Sequence, residues 1–319
     1  MCGPGPVAAL WNGEKPMSKS PSLHFHGNDF IHPADQAARE ELEAIPGFTT
    51  ALKTFLRTFH EQQFHGVNMA TKVRLGPRQL PHLYRLLPPL CRQLGIDEPE
   101  FYLEMNPVPN AYTYGDTRIF ITVTSGMLQL LDENELSTVL AHECGHIVCR
   151  HVLYHTMANV LMHGSGLLGS LMSILSKPIQ LGLLYWYRRG EFSADRAAAA
   201  VMRNPEAVVT TMIRLAGGPK HLTEHVNVAE YLEQARAYDS LQDSSWDKIL
   251  QGLAIMNSTH PFCSVRAREV RHWGQSDAYR RLMRAAEKIP AVSQCPRCGK
   301  PTPPVWKFCA DCGQPANGK

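Results

Sequence analysis

No block of like charge runs through this chain of 319 residues: 32 Lys and Arg stand against 29 Asp and Glu, a formal net charge of +3. A nucleic-acid partner needs a basic face, and this balance supplies none. The loose cluster Arg266, Arg268, Arg271, Arg280, Arg281 and Arg284 falls at mixed helical spacing and reads as a solvated helix face, with a surface for acidic partners as the alternative. Missing too is the charged head and apolar run of a secretory signal. Met1 to Ser22 is instead rich in Gly, Pro and Ser, the composition of a flexible tail, here drawn as residues 1–32. Without export the expected compartment is reducing, so the nine cysteines read as thiols or metal ligands before disulfides.

What is present is a helix-rich pattern with a few short strands. Residues 33 to about 64 predict two helices punctuated by Pro46-Gly47, residues 67–75 alternate like a strand, and 77–94 return to helical periodicity. β-like runs follow at 101–105, 111–114 and 118–123, the last two joined as a hairpin through Tyr114-Gly115-Asp116. Asp132-Glu133-Asn134-Glu135 opens a helix expected to reach about Met157, its acidic first turn suited to the dipole. Further helices are predicted over 189–202, 205–215, 228–238 and 266–287.

The long helix carries Ala141-His142-Glu143-Cys144-Gly145-His146. Four residues turn a helix through about 400°, so His142 and His146 project from one face one turn apart. Two neutral imidazoles can then reach one Zn²⁺. Glu143 lies about 100° round from His142, placed to take a proton from water without coordinating the metal. Chance alone writes H-E-x-x-H into roughly 4% of such chains, so the motif needs company. Gly145 allows close helix packing, and Glu191 in Gly190-Glu191-Phe192-Ser193-Ala194-Asp195 offers a third ligand. Asp195, one turn on, could accept the outer N–H of a ligand histidine. On spacing alone the alternative stays open that Glu191 and Asp195 balance Arg188, Arg189 and Arg196. His151 and His155, again four apart, read as solvent-facing or satisfied histidines rather than a second metal site.

If His146 and Glu191 share one metal, the apolar stretch 158–187 must begin and end on the same side. Two membrane crossings need ~40 residues plus a turn, more than this stretch holds. Pro178 also interrupts any continuous helix. The expected form is a buried or interface-lying helical hairpin, which allows peripheral membrane contact through 158–187, with a membrane-inserted hairpin as the alternative. The G-x-G-x-x-G of residues 164–169 follows no strand and is not a dinucleotide site.

His142-Glu143-x-Gly145-His146 with Arg150-His151, then Glu191-x-x-x-Asp195, resembles the gluzincin family of the heat-shock protease HtpX and the CAAX prenyl endopeptidases. Asn110-Ala111, Ile119 to Thr124 and Ser125 to Leu128 resemble the family's edge strand and following helix, and Thr259-His260-Pro261 with Arg266 its H-P-x-x-x-x-R element. The resemblance covers roughly residues 33–274. It implies an α+β fold: a mainly helical zincin-like metallopeptidase domain with a small antiparallel sheet. It also implies Glu191 as third ligand, Asp195 behind a ligand histidine, and His260 donating to the oxyanion with Arg266 steadying that region. Read from the residues, His260 is otherwise a cap or turn residue before Pro261. Asn110 and Ala111 would bind substrate by strand addition.

Cys295, Cys298, Cys309 and Cys312 form two C-x-x-C-G knuckles, the pattern of a structural Cys₄ zinc ribbon. The expected layout is therefore a tail (1–32), a metallopeptidase domain (33–288), a linker (289–294) and a ribbon (295–319). Two zinc ions are expected, one catalytic and one structural. The expected substrate is unfolded or flexible polypeptide, the ribbon is the expected contact for a protein partner, and the location is cytoplasmic, with membrane association as the alternative. A catalytically silent zinc-stabilised scaffold and a hydrolase of non-peptide amides are the competing readings.

Overall fold

A computed structural model describes residues 24–58, 61–163, 175–240 and 262–288; His260, the linker and the four ribbon cysteines lie outside the described residues. Of the expected tail, residues 24–32 are packed rather than loose, with Phe25 and Phe30 fully buried. Two aromatic rings in nine residues were enough apolar surface to hold that stretch down.

Helices α1 (Pro33–Ala44) and α2 (Phe48–Thr58) are separated by Gly47 at φ +88°, a left-handed turn that glycine takes without strain. α3 (Glu61–Thr71) occupies most of the residues expected as a strand, leaving β1 as Val73–Arg74 alone. Val67 and Met69 are 59% and 50% exposed, so the alternation there marks no buried sheet face. After α4 (Pro81–Tyr84) and α5 (Leu87–Leu94) come β2 (Glu100–Glu104), β3 (Ala111–Tyr114) and β4 (Phe120–Thr124).

The hairpin forms as expected, β3 antiparallel to β4, but the sheet is mixed and not antiparallel. Its order is β1-β2-β4-β3, with β2 parallel to β4 from Glu100↔Phe120 to Glu104↔Thr124. The cause lies in the loop after β2. Pro107 and Pro109 cannot donate to a ladder, and Thr124 Oγ1 and Gly126 N donate to the carbonyls of Val108 and Asn106. The chain is thereby carried outward, β3 becomes the edge, and β4 returns between the two.

α6 (Ser125–Leu130) leads to α7 (Glu133–Val148), opened by a capping box in which Asp132 accepts from the Asn134 and Glu135 amides while Glu135 accepts from Asp132 N. α7 stops short of Met157. Arg150 takes φ +61°, with Arg150 N donating to Ile147 O and His151 N to His146 O, a Schellman closure without glycine. α8 (Val152–His163) then starts in a new direction. Neither glycine nor proline marks this break, which is why periodicity ran through it.

α9 (Lys177–Val201) is one 25-residue helix, roughly 37 Å long, with Pro178 in its first turn where it starts rather than breaks a helix. α10 (Pro205–Gly217), α11 (Lys220–Thr223) and α12 (Val228–Ser240) follow. The expected helix 266–287 is two, α13 (Cys263–Gly274) and α14 (Asp277–Ala285), because Ser276 accepts from Tyr279 N and caps a new start.

Two apolar cores result. One joins the sheet, α5, α7, α10 and α13 with Ala197 to Val201 of α9. The other joins α1, α2 and α8 with Ile179 to Tyr187 of the same helix. The ends of the 158–187 stretch thus share one core, Ala158 and Val160 with Leu183, Trp186 and Tyr187. Among the described residues no helix is long and apolar enough to cross a membrane. Between its two core-forming segments α9 carries Glu191 and Asp195, so the polar site sits at the seam.

Candidate metal centre

Gly145 lets α7 and α9 approach. A Cβ there would lie 3.0 Å from Ala194 Cα and O and from Ala197 Cβ, so any larger residue pries the helices apart. At this spacing His142, His146 and Glu191 face one another, all buried. His142 Nε2 and His146 Nε2 are 3.1 Å apart, His146 Nε2 and Glu191 Oε1 3.3 Å, and His142 Nε2 and Glu191 Oε2 3.5 Å. Ligand atoms of a tetrahedral zinc at ~2.0–2.1 Å are separated by about 3.3–3.4 Å. The donor set fits that ion in both spacing and chemistry.

Charge around the donors is tightly arranged. Asp195 Oδ1 lies 2.9 Å from His142 Nδ1, so the carboxylate takes that N–H and leaves Nε2 turned to the other donors. Arg266, expected on a solvated face, is instead 2% exposed. It donates to both Asp195 oxygens at 2.8 and 2.6 Å and sets Nη1 2.8 Å from Glu191 Oε2. Its neighbours at mixed helical spacing gave no hint of this, because burial of one arginine depends on which face α13 turns to α9. Burial lowers the basicity of His142, but its hydrogen bonds to Asp195 and Glu191, with their negative charge, outweigh it and raise the pKa to about 9. Burial dominates at His146, lowering it to about 4 and keeping that imidazole neutral. Burial would raise Asp195; Arg266 and His142 instead hold it below the ordinary carboxylate value.

Glu143 is 1% exposed and accepts from Thr113 Oγ1 at 2.6 Å. Thr113 was missed: in the hairpin's alternation it falls opposite Tyr112 and Tyr114, but only the docking of β3 on α7 gives it a partner. Asn110 is bonded to Thr124 twice: its carbonyl accepts from Thr124 N, and its N–H donates to the Thr124 side-chain Oγ1. Its backbone therefore faces β4. By alternation along an antiparallel pair, Ala111 and Thr113 turn their backbones to the outer edge.

Of the two expected forms, solvent-facing or satisfied, His151 and His155 do not take the first: both are buried, and both reach the His146 ring. Cys144 is fully buried in the first core, as packing. Beside His142 and Glu143 lies a small cavity of about 20 Å³ walled by Met127, Val139, Val208, Met212 and Leu215.

Residues 77–274 match the model of Peptidase family M48. The chain is 35% identical over 269 residues to Plastoglobule-localized metallopeptidase 48, chloroplastic, of Arabidopsis thaliana, covering 84% of this chain and 78% of that one. It is 27% identical over 219 residues to Protease HtpX of Legionella pneumophila (strain Corby), covering 59% and 75%. Against Protease HtpX homolog of Syntrophobacter fumaroxidans the identity is 27% over 229 residues, covering 62% and 78%.

Proposed function

The chain belongs to peptidase family M48, whose members are zinc-dependent metallopeptidases, and from that premise we propose a metalloendopeptidase in which His142, His146 and Glu191 hold a catalytic zinc and Glu143 moves the protons. The observation that carries the reading is the donor triangle with sides of 3.1, 3.3 and 3.5 Å between α7 and α9. When bound there, zinc supplies Lewis acidity and brings the ionisation of water towards ~7.

The protein's own groups do the rest. Glu143 takes the proton of the attacking water and returns it to the leaving amine. Thr113 holds the Glu143 carboxylate from the side of β3. Arg266 offsets the charge of Glu191 and Asp195, and Asp195 keeps His142 in the tautomer that ligates. An unfolded or flexible polypeptide pairs with the sheet by strand addition at the β3 edge, so side chains contribute little selection. His260 as oxyanion donor and a Cys295-Cys298-Cys309-Cys312 ribbon with its own zinc and a protein partner complete the proposal. So does peripheral membrane contact through 158–187, where Leu181 and Tyr185 are 60% and 45% exposed.

The test is cleavage of unfolded casein by the zinc-loaded chain and by Glu143→Ala. Loss of cleavage by the variant with its zinc content intact is expected. Equal cleavage by both proteins, or none by either across a peptide library, would defeat the reading.

A further inference from the structure

We propose that Asp35, acting through His151, fixes the tautomer of His146 and so sets how tightly the centre holds zinc; the inference rests on the zinc reading above and deepens it. Asp35 precedes the stretch matched by the family model. It stands on α1, far from the motif in sequence, yet joins it through a chain of buried polar groups.

The break after α7 makes the contact. On a continuous helix five residues turn through about 500°, putting His151 some 140° round from His146. The reversal at Arg150 instead sets His151 Nδ1 3.0 Å from His146 Nδ1. Gly190 leaves room for the ring, since a Cβ there would lie 3.2 Å from that same His151 nitrogen. On its other side His151 Nε2 is 3.0 Å from Asp35 Oδ2.

Counting protons gives the direction of every bond. Ser193 Oγ accepts the His32 backbone N–H at 2.9 Å and turns its own hydrogen to Asp35 Oδ2 at 2.5 Å. Asp35 is an acceptor, so the proton of a neutral His151 sits on Nε2 and a lone pair on Nδ1. That lone pair faces His146 Nδ1, which must therefore carry hydrogen. His146 Nε2 is left bare, aimed at His142 Nε2 and Glu191. Asp35, His151, His146 and Ser193 are each at most 2% exposed, so bulk water offers no competing partner. Both ligand histidines thus end on a buried carboxylate, His142 directly on Asp195 and His146 on Asp35 through one imidazole. His146, His151 and His155 also bring three nitrogens within 4.8 Å of one another, but a metal there would need the His146 Nδ1 proton removed and the His151 lone pair diverted.

The experiment measures zinc affinity of the full chain by competition with a fluorescent chelator, beside the thermal midpoint of the metal-free protein. Asparagine at position 35 can offer its NH₂ as readily as its oxygen, which reverses the tautomers along the chain. Asp35→Asn and His151→Phe should each weaken the Glu191-dependent zinc site roughly 10–100-fold, and the double variant no further. Cleavage should return when zinc is raised to saturation. A lowered thermal midpoint with unchanged zinc affinity would overturn the relay and leave the peptidase reading standing. A wild-type metal ion that disappears in His155→Phe would replace the relay with a three-histidine metal site. Zinc content unaltered by Glu191→Gln would sink both readings together.

Discussion

Replacing Arg266 with methionine keeps the stem volume and deletes the guanidinium. Glu191 and Asp195, both 1% exposed, then lose a cation that lies 2.8 Å from one and 2.6 Å from the other. Removing one partner of a buried ion pair costs about 3–5 kcal/mol, because the remaining charge keeps its desolvation penalty. In a domain of this size each kcal/mol shifts the midpoint by roughly 2–4 °C, so the metal-free variant should melt ~6–20 °C below wild type. Zinc places positive charge beside Glu191, so the gap should narrow when the metal is bound. Acid should narrow it as well. In the wild type the folded pKa of Asp195 is depressed, so its contribution is present above the unfolded value of 3.8 and lost as pH falls through the folded one. Without Arg266, burial acts with less opposition and raises the folded value, so protonation relieves the variant as pH falls. Scanning calorimetry of both proteins, with chelator and with zinc, at pH 5 and pH 7, measures all three effects. Arg266→Lys, which keeps charge but not the fork, should fall between them. A metal-free Arg266→Met midpoint within about 2 °C of wild type would refute the clamp.

Zinc binding at pH 7 should release one proton from His142, whose pKa is about 9 without metal, and none from His146, at about 4. Affinity should then rise about tenfold per pH unit below 9, and calorimetry in buffers of different ionisation enthalpy counts the proton. Thr113→Val removes the hydroxyl 2.6 Å from Glu143 Oε2 and should lower kcat about tenfold or more with zinc content unchanged, read by single-turnover cleavage. Gly145→Ala presses a methyl to 3.0 Å from the Ala194 backbone; despite a helix-propensity gain of ~1 kcal/mol it should destabilise the chain and weaken zinc binding, measured by denaturant midpoint and chelator competition.

Local rules reached far into this protein. The H-E-x-x-H spacing, the acidic start of α7, Pro33 and Pro205 at helix beginnings, and the Tyr114-Gly115-Asp116 hairpin are all decided within a few residues, by helical rotation, capping and turn chemistry. Family resemblance then named Glu191 and Asp195, which spacing alone left undecided. The failures fall where the deciding partner is distant. The parallel β2–β4 pairing joins strands separated in sequence by β3, and the helix break at Arg150 uses a residue that carries no stop signal.

The sequence by itself determined that two imidazoles share one face of a helix with the Glu143 carboxylate about 100° round from the first, because a 3.6-residue period admits no other arrangement. Tertiary structure decided what surrounds them. Arg266 between two acids, Thr113 against Glu143, and Asp35 reaching His146 through His151 each link elements whose relative placement depends on two packed cores and on the close approach allowed at Gly145. A side chain's spacing fixes its direction on its own element; only packing determines what it meets.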